Sequence, residues 1–277
     1  RTCYPNPGFA PYCPANYDGK FRGVVLMREA LGSSINIPAV KMLKLNGVEA
    51  MVRLANDLGI KSLDDPARYG LSLTLGGGEV TMLEMAEAFG VFANQGYRSE
   101  LHPILKVEDS TGKTLEEYEP PTSSIFGKKV LPESVTFIIS HILSDNNART
   151  LAFGSASSLV VKGQTVSVKT GTTDDKRDNW TIGYTPSFLV TTWVGNNDNT
   201  PMGNVASGVT GAAAIWNRIL TEIFKDKKPE PPKTPDSVLG MHVCTTSGLL
   251  PTPEGTPNRC PTRFEYFIKG QEPKKVD

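Results

Sequence analysis

Lys169, Thr170, Gly171, Thr172 and Thr173 follow directly on a run in which Val166 and Val168 alternate with Ser167 and Lys169. That two-residue period belongs to a half-buried strand, so Lys169 is expected to leave the core and face a solvated groove. Read alone, the run also fits a strand that simply ends in a polar turn. An ammonium and hydroxyls at a strand end suit a terminal carboxylate, and a glycine lets a substrate come close to the strand edge. Far upstream, "LGSSINIPAV" sets Ser34 and Asn36 two residues apart between helix-like segments. A serine there also reads as a helix cap, and it gains catalytic meaning only from its partners. The chemistry that would use the whole set is acyl transfer. A serine nucleophile needs a base, a second Ser/Lys pair can pass the proton to a leaving amine, and an amide side chain can hold a substrate peptide. Strand N–H groups can then stabilise the oxyanion.

These residues need a scaffold, and the pattern supplies one. After an irregular Pro-, Gly- and Tyr-rich opening, helical periodicity starts near Val24 and runs through three segments, each closed by a glycine able to serve as a C-cap: Gly32, Gly47 and Gly59. Thr81 and Glu84 have the spacing of a capping box ahead of an apolar helix stripe, with Met82, Met85, Ala86 and Phe89 expected in the core. Residues 102–118 read as a hairpin. Its "STGKT" core lacks the glycine of a phosphate-binding loop, since Val107 stands in that place. A helix is expected from Pro132, with His141 on its surface or packed against it. "TVSVKTG", "WTIGYTP" and "FLVTTWVGN" are strand-like runs joined by short turns, which favours antiparallel pairing. A helix at 211–224 is expected to pack on that sheet. A Pro- and Lys-rich linker at 226–238 then leads to a tail at 239–277.

Composition is that of a globular chain, 39% hydrophobic and 21% charged over 277 residues. Lys+Arg and Asp+Glu both number 29, so no net field favours nucleic acid as a partner. No apolar run is long enough to cross a bilayer, and the opening at Arg1 reads as a cut in a longer protein. Cys3, Cys13, Cys244 and Cys260 give two local disulfides as the simplest of three pairings, with free buried thiols as the alternative; bridges would imply an oxidising compartment. No metal or organic cofactor is expected. His102, His141 and His242 are scattered, and only His242 beside Cys244 raises the question of a metal.

The runs "GLSLTLGGGEVTMLEMAEAFGVFANQGY", "LSDNNAR", "VKTGTTDDKRDNWTIGYTP", "WVGNNDNTPM" and "SGVTGAAAIW" resemble the transpeptidase domain of class A penicillin-binding proteins, and the tail resembles the end of those chains. Ser-x-Asn followed by Lys-Thr-Gly is the second and third element of that family's motif set. The resemblance implies an α+β fold, a mostly antiparallel sheet flanked by helices. It implies cross-linking of peptidoglycan stem peptides ending in D-Ala-D-Ala, with β-lactam antibiotics as inhibitors. By the same resemblance Ser34 is the proton-relay serine, Asn36 the substrate-amide ligand and Lys169 its partner. Thr170 and Thr172 are the carboxylate-binding hydroxyls, Thr173 is a further substrate-binding residue, Gly171 leaves the edge open, and the Thr172 N–H is half of the oxyanion hole. Strict alternation sets Lys169 and Thr170 on opposite faces, so both reach the groove only if the strand twists or runs at an edge.

The family's first element, Ser-x-x-Lys, is absent from residues 1–33. The string Ser110 to Lys113 has that spacing, but it follows Ser34 and falls in the expected hairpin turn. The chain therefore reads as a transpeptidase domain at 1–225 without its nucleophile, then the linker and a cysteine-bearing extension. The implied whole protein carries a glycosyltransferase domain and a membrane anchor upstream and works on the extracytoplasmic face of a bacterial membrane. Alternatives are a non-catalytic peptidoglycan-binding or scaffolding module and a serine β-lactamase; the linker and tail do not suit the latter.

Overall fold

Glycines punctuate the N-terminal helices, though not in one way. In the computed structural model, which describes residues 2–6, 10–119, 127–203, 211–257 and 259–277, α1 spans Met27–Gly32, α2 Asn36–Asn46 and α3 Val48–Leu58. Gly47 and Gly59 end α2 and α3 at φ 88° and 116°, where a side chain would be strained. Gly32 departs from the expected cap. It is the last residue inside α1, and a Cβ on it would stand 2.9 Å from the Ala148 backbone, so this glycine serves close approach. The helix also begins at Met27, three residues later than the periodicity suggested. In α4, Met82–Ala93, the capping box forms as expected: the Glu84 N–H donates to Thr81 Oγ1 and the Thr81 N–H to Glu84 Oε2. Ala88 and Val91 form its buried face, whereas Met82, expected in the core, is 42% exposed.

β1 (Tyr97–Arg98) pairs with β4 (Lys128–Lys129), and between them β2 (Lys106–Glu108) and β3 (Thr114–Glu117) make the expected hairpin. Ser110 and Lys113 lie in its exposed turn, which Asp109 closes by accepting from the Thr111 and Lys113 N–H groups. α5 (Glu133–Ser144) and α6 (Thr150–Phe153) lead into the main sheet.

That sheet is β5 (Ser167–Thr172), β6 (Asp178–Tyr184) and β7 (Leu189–Gly195), antiparallel and in that order, so β5 is an edge strand. α7, Ala212–Ile223, covers one face, where fully buried Trp216 and Leu220 pack on Val166 and Val168. Gly183 pairs with Val168, and a Cβ there would meet the Trp216 ring at 2.3 Å. α4 and α5 cover the other face. Tyr184 meets Phe89 edge-on and lies 2.9 Å from Ser140 Oγ, and Ser167 Oγ donates to Ser140 O at 2.7 Å. The first four residues of "SGVTGAAAIW", 207–210, lie outside the described residues.

After α7 the Pro- and Lys-rich segment carries no helix or strand until β8 (Val238–Cys244), which pairs antiparallel with β9 (Thr262–Ile268). Cys3–Cys13 and Cys244–Cys260 are disulfides, so the sulfur beside His242 is already bonded; His242 itself packs edge-on against Phe264. The tail is fastened to α1. Arg28 donates from Nε and Nη2 to the two Glu265 oxygens at 2.7 and 2.6 Å, and from Nη1 to His141 Nδ1 at 3.2 Å. Burial, and then the Arg28 charge, hold His141 below its ordinary pKa, consistent with a neutral ring accepting that bond. Among the described residues no helix is long and apolar enough to cross a membrane.

Two glycine-to-alanine changes should move stability in opposite directions. Gly183→Ala drives a methyl into Trp216 and should cost about 1–3 kcal/mol. Gly90→Ala, inside α4 with nothing near the new Cβ, should gain about 0.5–1 kcal/mol. Urea unfolding of both variants reads the difference.

Candidate active site

Three residues, Ser33 to Ile35, join α1 to α2, and the joint places Ser34 in left-handed backbone at φ 54°. For a residue with a Cβ this conformation costs about 1–2 kcal/mol, so the neighbours must impose it. They do. Ser33 Oγ donates to Ala148 O at 2.9 Å, and buried Ile35 donates its N–H to Ala30 O at 2.9 Å. The result fixes the direction in which the Ser34 hydroxyl points.

Lys169 meets it from the other side of the sequence. Its Nζ lies 2.7 Å from Ser34 Oγ and 2.6 Å from Thr170 O. The side chain leaves the Val168 face of β5 as the alternation requires and is half-buried. The α1–α2 joint covers the ammonium, and burial lowers the Lys169 pKa from 10.5 to about 8. No carboxylate among the described residues pairs with this cation. Such a group can give up or take back a proton near neutral pH through Ser34 Oγ, and an incoming anion would find an uncompensated charge.

The remaining residues expected at the site are placed differently. Thr170 and Thr172 share the α7-facing side of β5 with Val168, opposite Lys169. Thr172 Oγ1 accepts from Asn179 Nδ2 at 3.1 Å, and wholly buried Asn179 accepts from the Ala212 N–H at 2.7 Å. The Asp178 N–H donates to Thr173 Oγ1 at 2.8 Å, and that hydroxyl stands 3.2 Å from Asp178 Oδ2. Asn36 opens α2, and its Nδ2 donates to Ala15 O at 3.0 Å. At Gly171 a Cβ would make only ordinary contact, 3.5 Å from the Trp180 Cβ, so packing alone does not require the glycine. The structure thus brings Ser34 and Lys169 together and holds Asn36, Thr172 and Thr173 in other bonds. Among the described residues β5 runs at an edge of the sheet.

Two positions escaped the sequence. Ser33 anchors the Ser34 turn to a carbonyl 115 residues away, and Asn179 ties the end of β5 to the start of α7. The run of small residues from Gly32 to Ser34 was a signal for the first. Nothing in "RDNW" marked the second.

The family model of the penicillin binding protein transpeptidase domain matches residues 7–221, and that of the penicillin-binding protein 1A C-terminal domain matches residues 234–277. Penicillin-binding protein 1A of Clostridium botulinum (strain Langeland / NCTC 10281 / Type F) is 34% identical over 275 residues, 97% of this chain and 32% of that protein. Penicillin-binding protein 1A of Neisseria meningitidis serogroup A is 31% identical over 237 residues, 85% of this chain and 29% of that protein. The crystal structure of penicillin-binding protein 1A from Haemophilus influenzae aligns with 100% of this chain and 44% of its own, at 25% identity and a TM-score of 0.82. The chain spans about a third of the length of the curated relatives it matches.

The desolvated lysine has a pH signature. The native state releases its proton near pH 8 and the unfolded state near 10.5, so between these values the unfolded chain binds more protons and stability rises with pH. Wild type minus Lys169→Met, measured by urea unfolding across that window, should show a gain approaching about 3 kcal/mol. A flat difference would mean that the ammonium is solvated.

Proposed function

Because the chain belongs to the penicillin binding protein transpeptidase family, we propose that it is the acyl-transfer part of a longer peptidoglycan synthase and cross-links stem peptides ending in D-Ala-D-Ala. The observation that carries this reading is the 2.7 Å contact between Lys169 Nζ and Ser34 Oγ, with no carboxylate beside the ammonium among the described residues. In the proposed reaction a nucleophilic serine, its proton taken by the lysine of its own Ser-x-x-Lys segment, attacks the carbonyl carbon of the penultimate D-alanine. The oxyanion takes hydrogen bonds from strand N–H groups, that of Thr172 among them, and the leaving D-alanine amine receives its proton through Ser34 from Lys169. The acyl-serine then passes to the amine of a second stem.

The terminal carboxylate is assigned to Lys169, with the Thr170, Thr172 and Thr173 hydroxyls at the rim and Gly171 leaving room for the peptide. For Thr172 this means exchanging its bond to Asn179 for one to substrate. Asn36 would likewise leave Ala15 O to hold the substrate amide. β-Lactams, whose carboxylate and strained amide present the same groups, are the proposed inhibitors.

The serine itself is assigned to a Ser-x-x-Lys segment outside residues 1–277, since Ser110 is on an exposed hairpin turn. Residues 1–225 are then the transpeptidase unit, 226–238 a linker and 239–277 a C-terminal extension. The two disulfides support an extracytoplasmic location; membrane attachment and a glycosyltransferase domain belong to the proposed longer protein.

Intact mass after incubation with a β-lactam tests this reading. Residues 1–277 should form no adduct, and a chain extended by a Ser-x-x-Lys segment should acquire one acyl group. In the extended chain, Lys169→Ala and Ser34→Ala should slow acylation by about 10²–10⁴-fold. No adduct on either chain would leave a non-catalytic binding module as the better reading.

A further inference from the structure

A cavity lies away from Ser34 and Lys169, between the end of α4, the first turns of α5, the β6–β7 turn and the Pro-rich segment before β8. Its volume of about 560 Å³ falls within the roughly 300–1,000 Å³ of small-molecule sites. None of its lining residues takes part in the proposed acyl transfer. Its apolar lining comes from Phe92 and Phe137 on the helices and from Pro186, Pro231 and Pro232; Phe137 is itself buried, its ring edge-on to Tyr266. Such a lining suits a flat apolar body, which stacks on aromatic and proline faces alike.

Charge selects the other end of the ligand. Glu133, in the first turn of α5, and Glu230 both line the cavity, against a single ammonium from Lys233. None of the three forms an ion pair among the described residues; Glu230 accepts only the Ser187 hydroxyl. Two carboxylates against one ammonium favour a cation by direct attraction. From this geometry we infer a second binding site, for a small organic monocation in which an aromatic ring carries an ammonium on a short alkyl chain. The ring lies between Phe92, Phe137 and the proline wall, and the ammonium sits between Glu133 and Glu230.

The test titrates the full chain with 4-phenylbutylammonium, its neutral analogue 4-phenylbutanol and its anionic analogue 4-phenylbutanoate. Calorimetry gives the affinity, and NMR of selectively labelled phenylalanine rings gives the place, with signals assigned through Phe92→Leu and Phe137→Leu. The cation is expected to bind saturably and shift both rings, with the alcohol about tenfold weaker and the carboxylate weaker still. Glu133→Gln with Glu230→Gln should weaken the cation about tenfold and leave the alcohol unchanged. No saturable shift at Phe92 and Phe137, equal binding of all three compounds, or undiminished cation binding in the double variant would each overturn the assignment. The comparison of analogues on the wild-type chain stands even if the double variant does not fold.

Discussion

A half-buried ammonium with no carboxylate partner among the described residues is the constraint on which the site depends. Burying an unpaired charge is costly, and the protein lowers the cost by moving the Lys169 pKa toward neutrality and by giving Nζ two oxygens, Ser34 Oγ and Thr170 O. Neither oxygen is a carboxylate, so the charge stays available. A salt bridge here would have made the lysine comfortable and inert. The strained backbone at Ser34 belongs to the same design, because only a fixed hydroxyl can replace water around a lysine whose own chain is flexible.

The scaffold meets that constraint with close approaches. The sheet is covered on both faces, by α7 on one side and by α4 and α5 on the other, and Gly183 lets Trp216 lie directly on it. Gly32 lets α1 come against the Ala148 backbone, and Ser33 binds that residue's carbonyl. The position of Ser34 is therefore set by contacts one and two residues before it. Buried hydroxyls continue the theme beneath β5, where Ser167, Ser140 and Tyr184 satisfy one another in place of water, and burial pushes the Tyr184 pKa up to about 12.

Most of the elements were legible because their signals are local. The capping box at Thr81 and Glu84, the antiparallel run of β5 to β7 and the hairpin around Ser110 follow from spacings of a few residues. The pairing of Ser34 with Lys169 was legible only through likeness to a family, since nothing local relates residues 135 apart. What the pattern got wrong was environment. Alternation tells which way Lys169 leaves the strand, but not that Ser34 lies against its ammonium. The same gap explains Gly32, read as a helix stop when its role lies in a contact with Ala148. It also explains Met82, whose helical phase looked buried while its neighbours left it open.

Arg28 and Glu265 are separated by 237 positions, yet they form the paired fork that holds α1 against the final hairpin. A ribosome makes α1 among the first segments of this chain and β9 among the last. Until Glu265 emerges, Arg28 has only weaker partners in Asp145 and His141, and the helix that leads into Ser34 lacks its fastening. Assembly of the candidate site is thus coupled to synthesis of β9, and a chain stopped before Glu265 would carry its motif residues without the geometry that gives them meaning.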